Sequence, residues 1–434
     1  MTDRIAELEA RLDHFDRAVR YQALDDLLAL VRRGEIRFPP PQPKVNLHVH
    51  SFHSYNALGY SPTHIVWRAR REGLRAVGLV DFDIFDGVDE FHRAGRLLGI
   101  PTVAGMETRA YIPEFSTREI NSPGEPGIVY HMVMGVAASA ITDPWAQAFA
   151  RTLRENAGRR NRAVLERVNA YLDPVVLDYE TDVLPLSPTA TPTERHMCAA
   201  YEKKAEAVFP DPSARAAFWA DRLGIPKAEA ADLLADSRRL QALIRRKTMK
   251  RGGVGYQAPG PETFPLMTEV NRFALALGAV PTATWLDGTR QGERDIDELL
   301  DLHQAAGSAA LNIIPDRNWN LPDPDTKEVK LANLYDIVAR AEQRGLPLVV
   351  GTELNAPGQR FVDDFEAPEM QPVREPMLRG ADIMLGHSDA VLAGEPGYAS
   401  PWAAEHFKTV AEKNDYFARR GEAWRHRLLE EVPG

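Results

Sequence analysis

Three rhythms of apolar and polar positions divide the chain. In residues 1–35, Ile5, Leu8, Leu12, Phe15, Val19, Ala23, Leu27, Leu28 and Val31 recur at three- and four-residue spacing. That spacing predicts an N-terminal helical arm or hairpin, stopped by Gly34 and the proline-rich stretch up to residue 43. From 44 to 142 the period changes, predicting strands at 44–51, 76–80, 102–107 and 130–136 with helices at 61–72 and 88–98. Residues 143–275 turn helical in two stretches, 144–172 and 193–250, read as an insertion that caps a barrel mouth. The alternation resumes over 276–400, with strands at 279–286, 309–314, 347–353 and 381–385 and helices at 292–306, 327–344 and 369–379. The tail, 401–434, reads as charged helix. Short apolar strands alternating with helices make this an α/β chain with a mostly parallel sheet.

The polar positions carry the chemistry. In the first strand Val45, Leu47 and Val49 share one face, while Asn46, His48 and His50 share the other. Neighbouring imidazoles at a strand end suit a metal, but with 12 His in 434 residues a His-x-His arises by accident in roughly one such chain in three. The other strands supply the company it needs: Asp81, Glu107 and His131 stand at the ends of consecutive strands, where barrel enzymes keep their reacting groups.

Composition narrows the chemistry further. A net charge of -10 argues against a nucleic-acid coat or an anionic membrane surface, so an anionic substrate must be met by placed arginines or by a metal. Arg109, Arg290 and Arg317 follow strands, and Arg195 lies in the insertion. With Cys198 as the single cysteine there is neither an intrachain disulfide nor a thiolate zinc cluster, which leaves His, Asp and Glu as ligands. No run approaches the roughly 18 apolar residues of a membrane span, and a cytoplasmic protein is expected, with a homo-oligomer left open.

These residues resemble the PHP (polymerase and histidinol phosphatase) family of metal-dependent phosphoesterases. The family's strand ends carry His-x-His, Thr-Asp-His, a Glu, a His, a His-Pro and a final Gly-Ser-Asp-x-His. Asn46 to Ser51 is similar to the first of these, Val80-Asp81-Phe82-Asp83 to the second, Gly105-Met106-Glu107 to the Glu strand and His131 to the next. For the last, Gly351-Thr352-Glu353-Leu354-Asn355 matches position for position with Thr for Ser, Glu for Asp and Asn for His. The resemblance implies a distorted seven-stranded (β/α) TIM-like barrel and a divalent metal, Zn, Mn or Fe, held by His48, His50, Glu107 and Glu353. Glu107 and His131 remain for a weaker second site. Phe82 and Leu286 stand where the family has His, so the family's multinuclear cluster is expected to shrink.

The implied activity is hydrolysis of a small-molecule phosphoester by a metal-activated water. Asp83, Asp81 and His131 are the proton-transfer candidates, and Arg317, Arg109, Arg290, Arg195 and Asn355 the substrate-binding ones. Two other readings stand beside it: a metal-containing binding or regulatory protein with a decayed site, and an amidohydrolase-like C–N hydrolase, whose barrel also begins with His-x-His.

Overall fold

In the computed structural model, which describes residues 2–257 and 263–431, seven strands form one sheet in chain order. They are β1 (Gln42–Asn46), β2 (Leu74–Phe82), β3 (Thr102–Tyr111), β4 (Ile128–Met134), β5 (Val280–Trp285), β6 (Ala310–Ile313) and β7 (Leu348–Val350). Beyond Asn46 the chain stays extended and threads between β2 and β7. Leu47 N donates to Val350 O at 2.8 Å, Val80 N to Val49 O at 3.0 Å and Glu353 N to His48 O at 2.8 Å. A parallel bridge between Val49 and Glu353 completes the seam, so the sheet closes on itself as the expected barrel. Gly351 is required at this seam, because a Cβ there would overlap Asn46 Oδ1 and the His48 backbone.

Two sequence expectations are corrected. The fourth strand is antiparallel to both neighbours, not parallel. The reason is its connection: residues 112–127 carry no α-helix between β3 and β4, and a parallel return needs a crossover. The predicted strand 381–385 is instead the middle of a helix, Arg374–Leu392. Met377, Ala381, Met384, Leu385 and Ser388 are all buried at three- and four-residue spacing, so a helix covered on several sides imitates a buried strand.

The N-terminal hairpin, α1 (Thr2–Arg11) and α2 (Arg17–Arg32), packs on the first crossover helices, α3 (Pro62–Arg71) and α4 (Val88–Leu98). Arg20 is 3% exposed and forks onto Glu90, 2% exposed. Ser61 Oγ donates to Leu12 O at 2.6 Å.

The described residues divide into two compact units: those within 1–52, 56–150 and 265–434 form the barrel unit, and those within 53–55 and 151–264 form the second. The insertion opens with α5 (Pro144–Leu172), whose bounds match the sequence reading, and the unit boundary falls inside it. The predicted stretch 193–250 is broken into α6 (Glu194–Val208), α7 (Pro212–Leu223), α8 (Lys227–Leu233) and α9 (Ser237–Ile244). Together with the C-terminal part of α5 they enclose a core that includes Trp219, Tyr201, Leu172 and Val168.

Back in the barrel unit come α10 (Met267–Ala276), α11 (Gln291–Arg294), α12 (Ile296–Ala305), α13 (Asp316–Trp319), α14 (Pro324–Gln343), α15 (Arg374–Leu392), α16 (Pro401–His406) and α17 (Val410–Glu431). α17 lies close along α15, where a Cβ on Gly386 would strike the Phe417 carbonyl. Among the described residues no helix is long and apolar enough to cross a membrane.

Within α15, His387 is fully buried; its Nε2–H donates to Gly135 O at 2.9 Å and its Nδ1 accepts from Tyr398 N at 3.0 Å. Burial lowers its pKa to about 4. The unfolded chain therefore binds more protons between about pH 6.5 and 4, and stability present above 6.5 is lost as the pH falls through that window. The expected loss traceable to this one residue is about 3 kcal/mol at the acid end. Urea unfolding of the His387→Gln variant should show a correspondingly shallower acid dependence than wild type. Identical slopes would refute the assignment.

Candidate metal centre

The extension of β1 and strand β3 bring three ligating groups together inside the barrel. His48 Nε2 and His50 Nε2 lie 3.3 Å apart. Glu107 Oε2 is 3.2 Å from His50 Nε2 and 3.8 Å from His48 Nε2. All three side chains are buried, and their ligand atoms lie within 4.8 Å of one another, close enough for one cation to touch all three. Among the described residues this is the single group of three or more His, Cys, Asp or Glu with that geometry.

The local field favours positive charge at this point. Burial pushes the Glu107 carboxyl up, but His48 and His50 outweigh it and hold it at about 2. Burial likewise lowers His48, and Glu107 and Glu353 more than reverse that, raising it. At 3.8 Å the His48–Glu107 contact is too long for a hydrogen bond, so the attraction is Coulombic. Glu107 Oε2 receives no hydrogen bond among the described residues despite complete burial. An unsatisfied buried carboxylate oxygen facing two imidazole nitrogens fits a cation, which would satisfy all three.

Phe82 enters the same space. It pairs with Glu107 across β2 and β3, and its ring stacks on His50 at 4.4 Å between centroids and 21° between planes. An apolar ring thus lies against one face of the trio.

Glu353 stands beside the trio rather than in it. Its Oε2 is bound by Arg317 Nη2 and by Gln359 Nε2 at 2.9 Å, and the close cluster of ligand atoms is His48, His50 and Glu107 without it. Its φ is +63°, and Asp83, at the end of β2, has φ +60°. A left-handed backbone at a non-glycine residue costs roughly 1–2 kcal/mol, and here it occurs at two strand ends flanking the trio. Burial raises the Glu353 carboxyl, but Arg317 and His48 hold it below the usual carboxylate range.

The remaining candidates are placed as follows. Asp81 accepts from Ser51 N at 2.7 Å and Ser51 Oγ at 2.6 Å and so fixes the turn behind His50. Asp83 is half-buried and accepts from Thr108 Oγ1 at 2.6 Å. His131 is opposite Thr108, whereas Glu107 is opposite Met132. Opposed residues of an antiparallel pair share a face, so His131 points away from the trio. It contacts Asn271 Oδ1 at 2.6 Å and stacks on His303 at 5.5 Å, and burial lowers its pKa to about 4. His131 thus lies away from the trio, against Asn271 and His303.

Arg109 pairs with Glu125 at 2.8 Å and Arg290 with Glu119 at 2.9 Å. Arg195 belongs to the second unit, where its guanidinium lies over the Tyr55 ring. Asn355 is half-buried in the loop after β7. Two residues escape the sequence reading. Asn312 sits 3.0 Å from His48 Nδ1, and Tyr130, opposite Arg109, lies 6.4 Å from Phe82. A polar residue inside the apolar run 309–314 is the signal that could have found Asn312.

No protein-family model matches the chain. A segment is similar to an error-prone DNA polymerase of Corynebacterium diphtheriae, 37% identical over 73 residues, which is 17% of this chain and 7% of that protein. Two solved structures are similar in fold. One is an amidohydrolase from Chromobacterium violaceum with bound sulfate and no metal, at TM-score 0.49, 18% identity and coverage of 78% of this chain and 96% of that one. The other, named as a metal-dependent phosphoesterase from Bifidobacterium adolescentis, has TM-score 0.47, 21% identity and coverage of 78% and 97%. The seven-stranded barrel and the meeting of His48, His50 and Glu107 agree with what the resemblance to the PHP family implies.

Proposed function

We propose that this protein is a metal-dependent hydrolase of the PHP type acting on a small phosphoester. The observation that carries the reading is the buried meeting of His48, His50 and Glu107 around a carboxylate oxygen without a hydrogen bond. These three would hold one divalent cation, and two imidazoles with a carboxylate suit Zn, Mn or Fe. Such a cation supplies Lewis acidity, acidifying water and polarising an ester oxygen.

The chain's own residues do the rest. Arg317 is partly exposed and its guanidinium, turned toward Glu353, offers a planar fork to a phosphate. Glu353 orients that fork and keeps its charge beside the trio. Asp83, half-buried and steadied by Thr108, is the residue to hold or release a proton at its carboxylate. Phe82 and the walls around His50 exclude water from one face of the site.

Phe82 also limits the site to one cation in this reading. Phe82→His should raise the metal content of purified protein from about one to about two equivalents per chain by restoring an imidazole where the family carries one. An unchanged stoichiometry would mean that the neighbouring positions no longer support a second cation.

The same Phe82 favours a second reading, a metal-holding protein without turnover. Metal analysis of the purified full chain, with a panel of phosphomonoesters, phosphodiesters and N-acyl amides, separates the readings. Metal with phosphoester turnover is expected. Amide turnover would place the protein with C–N hydrolases, metal without any turnover would favour the second reading, and protein that takes up no added Zn or Mn would sink the site.

A further inference from the structure

We infer that Asn312 is a positioning residue that sets the tautomer of His48, an inference that rests on the metal reading above. His48 Nδ1 lies 3.0 Å from Asn312 Oδ1, and both residues are completely buried. A carboxamide oxygen only accepts, so Nδ1 carries the proton and the lone pair falls on Nε2. Nε2 is the atom that faces His50 Nε2 and Glu107 Oε2. With the opposite tautomer an N–H would point into the space where a cation must sit, and two lone pairs would oppose each other across 3.0 Å. An acceptor behind a metal-binding imidazole is the usual device for fixing ring orientation and basicity.

The fold presses this contact into place. Asn312 lies in β6 between Thr284 of β5 and Val349 of β7, so its backbone is held on both sides. Its Nδ2 has no hydrogen-bond partner among the described residues, nor has Thr284 Oγ1 beside it in register. The carboxamide is thus retained in the barrel wall at the expense of an unsatisfied donor, and among the described residues its hydrogen-bond contact is His48. Leucine would fill that volume without the penalty, which argues that the amide oxygen is there for the imidazole.

The test compares wild type, Asn312→Leu and Asn312→Asp as full-length chains. Zn and Co affinity are measured by competition with a chelator, and the His48 tautomer by long-range 15N–1H correlation on metal-free, histidine-labelled protein, with His48→Gln assigning the signal. Wild type should show the Nδ1–H form. Asn312→Leu should lose about 10- to 100-fold in metal affinity and shift His48 toward Nε2–H, while Asn312→Asp, which keeps an acceptor, should bind within a few-fold of wild type. A wild-type Nε2–H signal, or a folded leucine variant with unchanged affinity and tautomer, overturns the inference. If Asn312→Leu does not fold, the wild-type tautomer and the aspartate variant still decide. Absence of metal binding in wild type refutes the metal reading alone, because the tautomer shift between wild type and variant is read without metal.

Discussion

Glu107→Gln is expected to reduce bound divalent metal from about one equivalent per chain to less than about a tenth, and phosphoester hydrolysis by roughly a thousandfold. The substitution keeps the shape of the side chain and removes the one charge that the trio presents to a cation. Glu107 is 1% exposed, and without its charge two imidazoles 3.3 Å apart would have to hold a dication alone. Several kcal/mol of charge stabilisation disappears with the metal, and each 1.4 kcal/mol is about tenfold in rate. Affinity should also fall as the pH is lowered, because both imidazoles must be neutral to ligate and the field of Glu107 and Glu353 raises the His48 pKa. Metal analysis and chelator titration of the variant check the result; full metal content in Glu107→Gln would remove this carboxylate from the centre.

The largest stability effect is expected outside the site. Arg20→Ala should destabilise the barrel unit by about 3–5 kcal/mol, read as a lower denaturant midpoint. Arg20 Nε donates to Glu90 Oε1 at 2.8 Å, Nη2 reaches Oε2, and Nη1 donates to His14 O at 2.7 Å. Alanine would leave a carboxylate that is 2% exposed with Thr63 as its remaining support, Oγ1 donating at 2.7 Å. The penalty comes from the stranded charge more than from the lost pair, so Arg20→Ala combined with Glu90→Leu should recover much of it. If the double variant is as unstable as the two single losses added together, the stranded-charge account is wrong. The pair also joins α2 to α4, so the N-terminal hairpin belongs to the barrel unit as a structural brace.

Several features of this fold and site are legible in local patterns of residues. The helix 144–172 is delimited by its own periodicity, and the six parallel strands by short apolar runs ending in polar residues. The period-two alternation in Val45 to His50 puts both imidazoles on one face, and the structure has them 3.3 Å apart. Glu107 is reachable because a carboxylate in an apolar strand has few other uses, although the strand continues four residues past it to Tyr111. The departures have equally local causes. The run 381–385 is apolar in both a strand and a wrapped helix, and five residues cannot tell the two apart. His131 is nominated by the family resemblance, which does not fix the register of β4. Reversing the strand and fixing its register sends the imidazole to the opposite face, where it meets Asn271 and His303.

The order of residues alone predicts an α/β chain with a mostly parallel sheet, and it nominates His48, His50 and Glu107 along with Glu353 and His131. The reason is that strand period, helix period and the residues at strand ends are local properties, written in adjacent positions. Tertiary packing decides which distant groups share the centre. Glu353 is 305 positions from His48 and Asn312 is 264. Whether each touches the imidazole, a guanidinium or nothing depends on barrel closure at the Val49–Glu353 bridge and on the register of β6. Those contacts follow from how strands far apart in the chain are laid side by side, and no local pattern encodes them.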